Sequence, residues 1–284
     1  MGYSDGDDSD DFDCAHLNFS KLSLSTRIPV TIPISRLKAL GLDAILVDTP
    51  TKFTQMISEL NTDLKVTKIM NLDFEGVDLC KTGKVCLGQF HAAKSKTVFV
   101  LDFIAIKSPF TLEDRALSKM LESDSIQKVF YDPRNDMDAL AFQYSVTVNK
   151  CIDLQMCEVA YRRSVKKLPV KFVMGLQKTL ENHLVLPYKL KNAVMEVKNK
   201  GKYIFSPEHG GSYTMFEKRP LNMELVDYAA VDVFYFDELR EKLFNGLSES
   251  VKEKVEKVST KRLVEYKTRG YDPKGRSKSE APSF

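Results

Sequence analysis

The chain has no tryptophan, four histidines and five cysteines in 284 residues, and each scarcity closes off a chemistry. Cys14, Cys80, Cys86, Cys151 and Cys157 offer no CxxC pair, and so few histidines leave little to complete a zinc site. An odd cysteine count without short spacings predicts free thiols. No local signature marks a Cys–His nucleophile. No apolar run approaches the ~18 residues that a membrane span needs. The acidic N-terminus is unlike a secretory signal or transit peptide, and Gly6 stands where a myristoylation signal wants Ser or Thr. These absences predict a soluble protein of the cytoplasm or nucleus with no membrane partner.

What is present is enough apolar residue for a sizeable core, at 43% of the chain. The net charge of +3 hides an asymmetry. The first thirteen residues carry six aspartates and no basic residue, whereas from Lys252 onward ten Lys/Arg face five Asp/Glu. Residues 1–20 are expected to be a disordered acidic tail. Residues 246–284 are expected to be a charged helix, loosely docked, with a basic irregular end. That end either approaches a polyanion or is simply solvated. Between them, 21–245 is expected to form one domain.

Within that domain the pattern alternates. Strands are expected at 44–47, 68–75, 84–91, 97–103, 127–131 and 151–154. The segments 68–75, 84–91 and 97–103 resemble an antiparallel meander. Helices are expected at 35–41, 51–60, 112–122, 135–144, 154–162, 170–182, 188–198, 223–243 and 249–267, with a loop at 201–220. Meander strands followed by alternating helices and strands define an α/β fold with a mixed sheet covered by helices.

Four carboxylates stand out against this background. Asp73 and Glu75 lie two apart in an expected strand, so both leave one face while Leu72 and Phe74 point the other way. Neighbouring carboxylates repel unless a cation sits between them, and Mg²⁺ suits an all-oxygen site. Gly76 follows at once and permits close approach. Asp136 falls in the first turn of the helix after Pro133, where the bland alternative is a cap or dipole partner. Asp132 in the same loop reads as a turn residue. Tyr228 and Asp232 are four apart, on one helix face, with Ala229 and Ala230 between them. Taken singly, each of these has an ordinary structural reading.

Together they resemble the three motifs of the DEDD superfamily of 3′–5′ exonucleases. The first is Leu72-Asp73-Phe74-Glu75-Gly76-Val77, the second Lys128 to Leu140 around Asn135-Asp136, and the third Tyr228-Ala229-Ala230-Val231-Asp232. The likeness spans 43–245, in order and on the expected elements. Asp227, not His, stands five before Asp232, which resembles the tyrosine branch with RNase D and the exonuclease 3′-5′ domain-containing proteins. Tyr131 departs from the His of many members, and the chain after 245 is too short for the helical domain that follows the nuclease in RNase D.

The resemblance implies an RNase H-like fold with a mixed five-stranded sheet. It implies cleavage of single-stranded RNA or DNA from the 3′ end to nucleoside 5′-monophosphates with two divalent cations, Mg²⁺ or Mn²⁺. Asp73, Glu75, Asp136 and Asp232 would be metal ligands, Tyr228 would orient the attacking water, and Phe74, Gly76, Val77 and Asn135 would meet the 3′ end. Some relatives resemble inactive adaptors in small-RNA pathways. An adaptor role in a protein complex is therefore the competing reading, beside a chance match in an unrelated fold.

Overall fold

The computed structural model describes residues 35–283, so the acidic segment expected at 1–20 lies outside the described residues. A short helix, α1 (Ser35–Ala39), leads into β1 (Asp43–Val47). Helix α2 (Pro50–Thr67) starts where Thr49 is extended and its side chain accepts from the Lys52 amide, with Pro50 in the first turn. It runs beyond the expected end at Leu60 because Phe53, Met56, Ile57, Leu60 and Leu64 continue one buried stripe. It stops at Lys68, which is left-handed and donates its N–H to the Leu64 carbonyl at 3.1 Å.

The meander follows as β2 (Ile69–Val77), β3 (Lys84–Ala92) and β4 (Thr97–Asp102), all antiparallel neighbours. Helix α3 (Ala116–Glu122) precedes β5 (Gln127–Phe130), α4 (Arg134–Tyr144) and β6 (Cys151–Asp153). The sheet has six strands, in the order β1-β4-β3-β2-β5-β6. The five-stranded expectation is corrected by β1, which pairs parallel with β4 from Asp43–Thr97 to Val47–Leu101 and extends that edge.

Strand β2 is where antiparallel pairing gives way to parallel pairing. Strand β5 pairs only with Ile69, Met70 and Asn71 of β2. Among the described residues β2 has no strand partner on that side beyond Asn71, and cavities reach Glu75, Gly76 and Val77 at its end. A ligand site outside strand ends at such a switch is the expected place in an open α/β sheet. The period of two puts Leu72 and Phe74 into the core on one face and Asp73 and Glu75 on the other.

The carboxylate face is covered by α5 (Leu154–Ser164), α6 (Leu176–His183), α7 (Tyr188–Phe205), α8 (Met223–Phe234) and α9 (Phe236–Leu243). The expected helix 170–182 begins only at Leu176, because Gly175 and the residues before it are not helical. The expected loop from 201 is helical through Phe205 and then holds short 3₁₀ turns at Pro207–His209 and Tyr213–Phe216. The single long helix expected over 223–243 is broken at Tyr235, whose backbone is not helical.

Helix α10 (Glu249–Leu263) corrects the expectation of loose docking. Arg262 is buried and donates to Asp153 Oδ2 at 2.6 Å and to Gln155 Oε1 at 2.8 Å. Ser259 Oγ accepts the Asp153 amide at 3.0 Å. Asp153 in turn caps α5 and accepts the Asp132 amide at 2.9 Å, which ties α10 to the loop that opens α4. Removing one partner of a buried pair leaves the other uncompensated. Arg262→Ala is therefore expected to lower stability by roughly 3–5 kcal/mol, read as a lower urea midpoint at unchanged slope. A surface-sized loss, below about 1 kcal/mol, would show that the pair is solvated.

Candidate active site

Strand β2 delivers Asp73 and Glu75, both half-buried, and α8 delivers buried Asp232. One carboxylate oxygen from each of the three lies within 4.8 Å of the others. Asp136 enters from the first turn of α4, buried, and its charge bears on Asp73. The structure thus brings Asp73, Glu75 and Asp232 into one cluster, with Asp136 flanking it. Asp132 adopts a left-handed turn and holds Arg134 at 2.6 and 2.7 Å, in keeping with a turn residue.

Such a cluster is costly in isolation. Burial first, then the charges of Asp136 and Glu75, push Asp73 well above the usual carboxylate range. Burial, then Asp232, pushes Glu75 up to about 8. Burial, then Asp132, pushes Asp136 up to about 8. Burial raises Asp232 too, against the opposing charge of Lys198. An all-oxygen set of mutually repelling acids fits a hard divalent cation.

Helix α7 supplies a cation that sequence reasoning missed. Lys198 is fully buried, donates from Nζ to Asp232 Oδ1, and stands 3.3 Å from the centre of the Tyr228 ring. Its position follows from Gly201, one turn on: a Cβ there would meet the Tyr228 side chain at 2.4 Å, so only glycine lets α7 approach α8 this closely. The sequence did carry a signal. Val194, Val197, Gly201 and Phe205 form a buried stripe, and Lys198 lies inside it rather than opposite it.

Tyr228 is buried, with Phe205 edge-on at 4.9 Å. Burial, then the Asp232 charge, pushes its hydroxyl well above the usual phenol range, so it stays protonated. The four residues expected to meet the 3′ end divide. Gly76 and Asn135 line a cavity of about 460 Å³ that also reaches Glu75. Val77 lines a neighbouring cavity of about 380 Å³. Phe74 lies on the far face, its ring 5.9 Å from Phe90 and 6.0 Å from Phe103, so its side chain is core and not cavity wall. Gly76 sits at a bulge where a Cβ would meet the Lys84 carbonyl at 1.9 Å, which allows β3 to close on the strand end.

Three carboxylates brought together from a central strand and a helix, with a fourth acid flanking them and a cavity reaching Glu75, suit the binding of divalent cations. The sequence model of the 3′–5′ exonuclease family matches residues 45–248. The chain belongs to that family, within the DEDD superfamily. It is 26% identical over 134 residues to the mouse (Mus musculus) piRNA biogenesis protein EXD1, a match covering 47% of this chain and 23% of that protein. The chain thus spans about a quarter of that relative. Among solved structures, the Trypanosoma brucei RNase D:GMP complex superposes with a TM-score of 0.64 at 21% identity, covering 87% of this chain and 71% of that one. Brucella melitensis NrnC with bound Mg²⁺ gives 0.55 at 17% identity, covering 83% and 99%. These likenesses establish the shared fold. Among the described residues no helix is long and apolar enough to cross a membrane.

Proposed function

We propose that the chain is a 3′–5′ exonuclease of the tyrosine branch that shortens single-stranded RNA by metal-dependent hydrolysis. The observation that carries this reading is the convergence of Asp73, Glu75 and Asp232 within 4.8 Å, with Asp136 beside Asp73. Asp73, Glu75, Asp136 and Asp232 would hold two divalent cations, Mg²⁺ or Mn²⁺. Bound there, the cations supply an ionised water and neutralise charge on the scissile phosphate.

The chain's own groups do the rest. The protonated Tyr228 hydroxyl, on the same face of α8 as Asp232, orients the attacking water rather than deprotonating it. Lys198 stays within the cluster against Asp232, where burial lowers the pKa of its ammonium and the Asp232 charge opposes that. RNA is preferred over DNA because RNase D of Trypanosoma brucei was solved with a ribonucleotide, GMP, and because EXD1 is named for piRNA biogenesis. The second of these names also supports an adaptor that binds RNA without cutting it. Against that, the chain carries all four acids and the tyrosine.

The test is a gel assay on 5′-labelled single-stranded RNA and DNA with Mn²⁺, Mg²⁺ or EDTA. A ladder shortening from the 3′ end, lost in EDTA, supports the nuclease. Binding with no cleavage of either strand selects the adaptor. Tyr228→Phe is expected to lower kcat about 10²-fold through misplacement of the water, with Mn²⁺ binding unchanged by calorimetry. A variant at full rate would remove Tyr228 from the reaction.

A further inference from the structure

Residues 271–281 are irregular apart from a 3₁₀ turn at Arg276–Ser279, yet they are held against the fold by side-chain and backbone bonds rather than left in solvent. Arg134 Nη2 donates to the Lys278 carbonyl at 2.9 Å. The Val173 amide donates to Ser279 O and the Ala281 amide to Lys171 O, both at 2.9 Å. Tyr271 donates its hydroxyl to Asn135 Oδ1 at 3.1 Å, and Lys278 Nζ donates to the same oxygen. These bonds lay residues 271–281 as a strap across the start of α4, next to Asp136.

The strap contributes Pro273 and Lys274 to the lining of the 460 Å³ cavity, beside Glu75, Gly76, Asn135 and Tyr213. Three features of that lining suit one ligand. Tyr213 is 44% exposed and offers an aromatic face. Pro273, with Leu79 and Cys80, supplies apolar surface. Among the described residues lining the cavity, Lys274 is the one cation, beside the acids Glu75 and Asp78. Its present partner is Asp78 at 2.7 Å, and both side chains are mostly in solvent, at 71% and 61% exposure. A pair this exposed is weak, so it holds Lys274 only loosely.

We infer that the strap and the 3₁₀ turn at Tyr213 form a nucleotide subsite at the 3′ end of a single strand, with the base stacked on Tyr213 and a backbone phosphate held by Lys274. The inference rests on the exonuclease reading for the position of the reacting end. The chemistry of the wall itself requires only a nucleic-acid strand, since stacking and backbone charge grip any sequence.

The experiment is fluorescence anisotropy of the full chain with a short 5′-fluorescein single-stranded RNA, over a KCl series, alongside the cleavage assay. Lys274→Ala is expected to weaken binding several-fold and to make the slope of log K against log[KCl] shallower by about 0.7, one phosphate contact on a single strand. Tyr213→Ala is expected to weaken binding roughly five- to hundred-fold with little change in salt slope. Lys254→Ala, an exposed lysine of α10 outside the cavity, controls for lost charge and should match wild type. Lys274→Ala and Tyr213→Ala with wild-type affinity and slope would overturn the subsite. Wild type that binds with these sensitivities but does not cleave removes the nuclease reading and leaves the subsite. Wild type that neither binds nor cleaves overturns both.

Discussion

Asp73→Asn is expected to abolish 3′–5′ cleavage while raising the melting temperature of the metal-free protein. The two effects have one cause. Asp73 shares its sheet face with Glu75, and its carboxylate is crowded by Asp136, Glu75 and Asp232. Exchanging it for an amide of equal size removes the cost of burying or protonating an acid there and leaves packing intact, so the apo protein gains stability. The same exchange removes an oxygen ligand from the cluster. A cation that stabilises charge on the transferring phosphate contributes several kcal/mol, so the rate is expected to fall at least ~10³-fold. Differential scanning fluorimetry in EDTA and a single-turnover cleavage assay read the two halves. Unfolding of Asp73→Asn in EDTA would make the residue structural and take the site assignment with it. Unchanged cleavage would do the same to its catalytic role. Asp232→Asn tests the same logic less cleanly, because it also strands Lys198, whose ammonium Asp232 accepts in a buried position.

How far the site could be read from the chain follows from what periodicity encodes. Asp73 and Glu75 were legible because a strand repeats every two residues, and Tyr228 and Asp232 because a helix repeats every four. Their meeting in space was legible only through the resemblance, since no local pattern says that α8 lies over β2. The sixth strand was visible as Ala44-Ile45-Leu46-Val47, but its place at the edge beside β4 depends on long-range pairing. The break at Tyr235 escaped notice because Met223 to Leu243 keeps a helical apolar pattern across it. Charge misled at the C-terminal end. Helix α10 reads as a solvated helix, yet its one buried arginine finds Asp153, and the segment after it is held by backbone bonds that leave no trace in composition. Lys274 and Tyr213 therefore read as surface residues. They acquire a ligand-facing role only because the strap and the 3₁₀ turn converge on the end of β2.

The stability gained from Mn²⁺ is expected to grow steeply between pH 5 and pH 8. Ordinary carboxyls titrate near ~4 in the unfolded chain, whereas burial lifts Glu75 and Asp136 to about 8 in the fold. The folded state therefore binds more protons in that window, and by linkage the metal-free protein loses stability as pH rises from about 4 to about 8. Below that range the acids are neutral in both states and their contribution is fully retained. Divalent ions need the ionised form, so they bind weakly when the acids are protonated and strongly when they are not. At a hundred times its Kd, Mn²⁺ adds about 2.7 kcal/mol. For a chain of this size that is a shift of roughly 5–10 °C, present at pH 8 and nearly absent at pH 5. Lys198 modulates the response, because its ammonium already offsets part of the negative charge around Asp232. Lys198→Met is expected to lower the melting temperature in EDTA at pH 8 and to enlarge the Mn²⁺ shift there. An equal, non-zero shift at both pH values would mean that the cluster is ionised throughout, and no shift at either would mean that it holds no cation. A shift unchanged in Lys198→Met would mean that the ammonium and the metal ion do not share the same charge.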